Sequence, residues 1–318
     1  MTAGRDRLVQ FIAEELARPV SAGAVAVTER VRELYGDAVR AVLLYGSCLR
    51  SGDDLEGVLD LYVLVDRYGA AYRNPLLVLT NTLLPPNVFY LETATDGRTV
   101  RAKYAVLSLS RLTRSTSPHT FEPYFWARFA QPCALVYAAA PDVARRVAVA
   151  LAAAVATCIG RGLPLLPERF RLPDLWTATL RETYRSEVRA ERSVAPVDLY
   201  RAAPQRYAEV SRLALPRLPW TVSVEDVSGE TWWTAKVPAW QRRLAPWIWR
   251  LRRVHGKVFF LLRIVRNALI FEGGVDYVIW KIERHSGVKV DPSWRKRRLR
   301  LLGLGAELLR LYRRGAIR

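Results

Sequence analysis

Histidine is scarce in this 318-residue chain, three in all, and cysteine is no commoner. Cys48, Cys133 and Cys158 lie far apart. They offer neither a metal-ligand pair nor an even-numbered disulfide framework, so a reducing compartment is the simplest setting for them. Long apolar runs are lacking too. The smooth run Val147–Gly160 is too short to cross a bilayer, and Asn74–Leu91 is broken by Pro75, Pro85 and Pro86. The opening MTAGRDRLVQFIAEELARPV places Asp6, Glu14 and Glu15 where a transit peptide avoids acids, so no targeting segment is expected. Internal repeats and low-complexity tracts are absent as well.

What is present is ample apolar content, 51%, and a strong excess of positive charge. That content supports a real core, and the length allows two domains or one with a long appendage. The net charge of +19 is unevenly placed. From Arg242 to Arg318 there are 20 Lys/Arg against 5 Asp/Glu, a net of +15, which leaves only +4 for the other 241 residues. The partner of that tail is therefore anionic, either nucleic acid or a membrane surface.

Along the chain, RDRLVQFIAEELARPV and VAVTERVRELYGD have helical spacing, the second ending at Gly36. AVRAVLLYG reads as a buried strand running into a Gly46-Ser47 turn. VLDLYVLVD reads as a second strand, with Leu59, Leu61, Val63 and Val65 on one face and Asp60, Tyr62 and Leu64 on the other. NVFYLETATDGRTVRAKYAVLSL reads as a hairpin turning at Asp96-Gly97, with Lys103 and Arg101 on one face of its returning strand. From Pro141 the pattern becomes helical, with Pro173 near a helix start. The proline-punctuated stretch from Val194 to Trp240 reads as a linker. The last eighty residues read as arginine-rich helices carrying Trp247, Trp249, Phe259, Phe260, Trp280 and Trp294.

The opening half of this pattern carries chemistry. A strand, a Gly-Ser turn and a helix, then a strand bearing an acid, is how nucleotidyltransferases hold a nucleoside triphosphate. Glycine lets the backbone approach the phosphates, and the acid binds the Mg²⁺ that bridges them to the nucleophile. Such enzymes usually carry two carboxylates one residue apart. Here Val58 and Tyr62 flank Asp60 at that spacing, and Asp66 lies roughly 20 Å along the strand at ~3.3 Å per residue. The second metal ligand must come from elsewhere. Glu92, on a neighbouring strand, has little to recommend it.

The string YGS…VLDLYVLVD with its single Asp resembles the mitochondrial-type phosphatidate cytidylyltransferases, the translocator assembly and maintenance family, here as a bacterial relative. AKYAVLSL resembles that family's strand with a catalytic lysine, at Lys103. FWARFAQPCALVY resembles its Gly/Ala-Arg-x-x-x-Pro segment, at Arg128. LPERFRLPDLWTATLRETYRSEVR resembles its Tyr-x-Gly-Asp-x-Arg block, at Tyr184, Ser186, Glu187 and Arg189. The likeness runs from about Ala41 to Arg192, with a looser match in the tail around Arg263. Glu187 stands where the family has Asp, and Glu272 where a lysine-glycine pair belongs.

The resemblance implies an α+β fold in three parts. A nucleotidyltransferase-type mixed-sheet domain over residues 1–140 is followed by a mainly helical, winged-helix-like domain over 141–240 that completes the site. A basic amphipathic membrane-association region covers 241–318. It implies transfer from CTP to phosphatidate, giving CDP-diacylglycerol and pyrophosphate for phospholipid synthesis, with Mg²⁺. Asp60 and Glu187 would hold the metal, and Gly46, Ser47, Tyr184 and Glu187 the nucleotide. Lys103 would neutralise phosphate charge, and Arg128 and Arg189 would meet the lipid phosphate. A phosphate monoester is already ionised near neutrality, its second pKa being about 6, so no general base is required.

The expected location is the cytoplasmic face of a membrane, peripherally, with no nucleic-acid partner. Helices such as RRLAPWIWRLRRVHGKVFFLLRIVRNALIF lie in the headgroup layer with aromatics inserted and arginines snorkelling. An RNA-directed nucleotidyltransferase and a non-catalytic nucleotide- or membrane-binding scaffold remain the alternatives, as do basic helices packed on the catalytic core.

Overall fold

The computed structural model describes residues 3–52, 57–95, 97–187 and 196–270. Asp96, Arg189, Glu272, Trp280 and Trp294 lie outside them. The protein is α+β. Helices α1 (Ala3–Leu16) and α2 (Ala22–Tyr35) lead into strand β1 (Val39–Tyr45), short helix α3 (Ser47–Ser51) and β2 (Leu59–Val65). Ser21 caps α2 by accepting from the Ala24 N–H, and Gly36 ends it at φ +54°. Helices α4 (Tyr68–Ala71) and α5 (Pro75–Leu83) precede the hairpin of β3 (Asn87–Thr95) and β4 (Arg98–Ser108). Then come α6 (Leu109–Thr116), α7 (Pro123–Phe129), β5 (Cys133–Ala138) and the long α8 (Pro141–Gly162).

The five strands order as β3-β4-β2-β1-β5, with β2 parallel to β4 and the other pairs antiparallel. Period-two alternation divides the apolar residues between two cores. Leu59, Leu61, Val63 and Val65 pack with Val27 and Val31 of α2. Tyr62 and Leu64 pack on the opposite side with residues of α1, α7 and α8. The residues 141–165 are apolar and long enough to span a bilayer, yet most of that stretch is buried in this second core. It is a core helix.

Strand β6 (Arg169–Phe170), helices α9 (Leu172–Arg185), α10 (Pro196–Arg201) and α11 (Pro204–Ala214), and strands β7 (Val222–Val227) and β8 (Glu230–Ala235) follow. Their small antiparallel sheet has the order β6-β8-β7, with three helices between its first strand and the hairpin. The segment read as a linker is therefore structured. Its prolines open α10 and α11, and Ser228-Gly229 turns the hairpin with φ of 53° and 81°. A buried ion pair ties α11 to α1: the Arg206 Nε donates to Glu15 Oε2 at 2.8 Å, and Glu15 Oε1 accepts from the Cys133 N–H.

Helix α12 (Ala239–Ile270) corrects the reading of the tail. Arg252, Arg263 and Arg266 do not snorkel outward; all three are buried. Arg263 donates to the Pro85 carbonyl and Glu122, and Arg266 to the carbonyls of Leu84 and Pro86. A Cβ on Gly256 would fall on the Ser186 carbonyl oxygen, so the backbone of α12 rests directly on the end of α9. The outward face carries an apolar stripe beside the exposed Arg243 and Arg250. Trp240, Leu244, Trp247, Leu251, Val254 and Val258, at spacings of three and four, are all strongly exposed.

Candidate active site

The site grows from one row of residues across the sheet. Tyr45 on β1 stands opposite Asp60 on β2, and Asp60 lies in register with Lys103 on β4. Alternation puts all three on the side that faces α7 and α8. Asp60 and Lys103, 43 positions apart in sequence, thus become neighbours on adjacent strands, both half-buried.

Gly46 ends β1 with φ +92° and ψ −156°, a conformation almost confined to glycine. Nor would the space admit a side chain. A Cβ there would lie 2.8 Å from Asp60 Oδ2 and 3.3 Å from Asp60 Cβ. The turn and the acid noticed in the sequence are therefore in contact. Ser47 follows, exposed, as the first residue of α3.

Arg128 approaches the same face from α7. Its Nη1 donates to the Tyr124 hydroxyl at 3.0 Å and the Tyr62 hydroxyl at 3.4 Å, and its guanidinium lies over the Tyr124 and Tyr45 rings. Nη2 reaches Glu187 Oε1 at 3.5 Å, a long ion pair just past the end of α9. Burial disfavours this cation, but the Tyr124 and Tyr62 hydroxyls accept from it and the Tyr rings and the Glu187 carboxylate face it, and its pKa is raised. Burial likewise raises the Tyr62 and Tyr45 hydroxyls, which stay protonated at neutral pH.

Six of the eight expected site residues thus gather into two connected groups. Gly46, Ser47, Asp60 and Lys103 form one, and Arg128 and Glu187 the other, with Tyr45 and Tyr62 between them. Tyr184, on α9 three residues before Glu187, packs partly buried against the core and is not joined to either group by a described contact. Arg189 lies outside the described residues. Glu92 is on the exposed sheet edge, paired with Arg101 at 3.4 Å. The tyrosines escaped the sequence reading. Tyr45 adjoins Gly46 and Tyr62 shares the parity of Asp60, so alternation alone was the available signal.

Among the described residues, no three His, Cys, Asp or Glu side chains gather as a metal cage. Mg²⁺ commonly takes only one or two carboxylates plus substrate phosphates and water, and the half-buried Asp60 beside open backbone at Gly46 fits that habit. Glu187 is turned toward Arg128. No family model matches the chain, and comparison with curated proteins returns no match.

Proposed function

We propose that the protein is a nucleotidyltransferase that transfers CMP from CTP to phosphatidate at a membrane surface. The contact between Gly46 and Asp60, with Lys103 in register on the next strand, carries the reading. It brings an oxygen ligand, a backbone without side chain and a cation to one spot, as a bound triphosphate requires.

In this reaction a phosphatidate oxygen forms a bond to the α-phosphorus of CTP. The bond from that phosphorus to the bridging oxygen breaks, and pyrophosphate leaves with the electron pair. Bound Mg²⁺ supplies charge neutralisation across the phosphates. Asp60 would hold it, while Gly46 and Ser47 bring backbone close to the triphosphate. Lys103 offsets charge on the transferring phosphoryl group. Arg128, oriented by Tyr124, Tyr62 and Glu187, offers a fixed cation to the lipid phosphate.

The outer face of α12 supports lipid rather than RNA as acceptor. That helix has eight Lys/Arg and no acid; three of its arginines are buried, and the exposed Arg243 and Arg250 flank an apolar stripe, as arginines do at a headgroup layer. A stripe of this kind suits a headgroup layer better than a phosphate backbone. The test is incubation with α-labelled CTP, Mg²⁺, phosphatidate vesicles and RNA together. Label is expected in the lipid phase, dependent on Asp60. Label on RNA, or none in lipid, would refute the proposal.

A further inference from the structure

A cavity of about 410 Å³ lies between the end of α8, residues 218–220 and the first half of α12. It falls within the range of small-molecule sites, about 300–1,000 Å³. None of its lining residues belongs to the Asp60 cluster. Its walls are mostly apolar, with Leu218, Ala245 and Trp249 among them, and among the described residues they include no carboxylate.

They do include two guanidinium groups, Arg161 and Arg252. Arg161, half-buried at the end of α8, donates to the Pro118 carbonyl. Arg252 is buried, with its charged group 5.0 Å from the Phe121 and Trp249 ring centres and Nε donating to the Phe121 carbonyl. Burial, and then repulsion from Arg161, pushes Arg252 down to about 10; burial also lowers Arg161. Both remain cations at neutral pH. Two like charges beside an apolar cavity are costly, and an anion between them relieves both desolvation and repulsion.

We infer that this cavity is a second ligand site, for a phosphate-monoester lipid whose phosphate meets Arg161 and Arg252 and whose acyl chain fills the apolar space. A phosphate monoester carries about −1.5 to −2 at pH 7, matching two cations as a carboxylate does not. The exposed Trp240 and Leu244 stand at the cavity and also begin the apolar stripe of α12, so a chain can enter from a bilayer without crossing water. This site does not rest on the nucleotidyltransferase reading.

The experiment is calorimetric titration of the full chain with monomeric dodecyl phosphate. Saturable binding is expected, and the component that belongs to this cavity is the one its own variants weaken. A245F, which fills the cavity, and R161M, at the partly exposed helix end, should each weaken it by about tenfold or more. D60N should leave it unchanged, dodecanoate should bind more weakly, and inorganic phosphate should compete poorly. Unaltered binding in both A245F and R161M would overturn the inference. So would loss of binding in D60N, or inorganic phosphate binding as tightly as dodecyl phosphate.

Discussion

Alanine at Gly46 separates a cost to the fold from a cost to the chemistry. At φ +92° and ψ −156° a Cβ is strained by about 1–3 kcal/mol. The Tm shift per kcal/mol shrinks with size and is about 2 °C at the large end of ordinary domains, so a drop of about 2–6 °C is expected here. The new methyl would also lie 2.8 Å from Asp60 Oδ2, and ordinary contact at 3.4 Å or more requires the carboxylate to give way by about 0.6 Å. Misplacing a catalytic group by ~1 Å costs up to ~100-fold in rate, so kcat for transfer to lipid should fall about 10- to 100-fold. Gly36→Ala is the control. Gly36 has φ +54° but nothing within 4 Å of a Cβ, so it should lose comparable stability and keep its rate. Thermal unfolding and initial-rate assays of the three proteins decide the matter. A G46A enzyme as fast as the G36A control would refute the role given to Asp60, and an unchanged Tm would refute the backbone geometry.

Asp60→Asn, nearly isosteric but uncharged, should lower turnover at least about 100-fold while the unfolding midpoint stays close to wild type; activity within tenfold removes Asp60 from the site. Glu15→Gln leaves the buried Arg206 charge uncompensated and should cost about 3–5 kcal/mol in urea unfolding; a change below ~1 kcal/mol contradicts the pairing. The double variant W247E/L251E alters only strongly exposed side chains, so it should unfold like wild type yet fail to sediment with anionic vesicles; unchanged sedimentation absolves the stripe. Burial raises Cys133 and Cys158 to about 12 from an ordinary 9.0. Between those values the unfolded chain releases thiol protons that the native state keeps, so stability should fall as pH rises above about 9. A urea midpoint that is flat between pH 8 and pH 10.5 would count against that burial.

Much of the sheet was legible because period-two alternation names a face without ambiguity. Alternation alone assigns Asp60 to the side of Tyr62 and Leu64. Its adjacency to Lys103 required the parallel β2–β4 pairing, a non-local event that no single strand announces. The cage around Arg128 was hidden for the same reason, since Tyr45, Tyr62 and Tyr124 come from three separate elements. The hairpin of β7 and β8 was obscured by surrounding prolines, although its Ser228-Gly229 step is a turn signal. In α12 the periodicity was plain but its sense was not. Arginine and apolar faces alternate equally well whichever one turns inward, and the carbonyls of Leu84, Pro85 and Pro86 that hold the arginines are far away in sequence.

The seat of Gly256 on the Ser186 carbonyl bears on how the protein would stand on a bilayer under the proposed function. Residue 187 follows at once and holds Arg128. An attachment through the outer face of α12 therefore acts as a foot rather than a leash. On the proposed function, this frame would fix the height and tilt of the reaction centre above the headgroups.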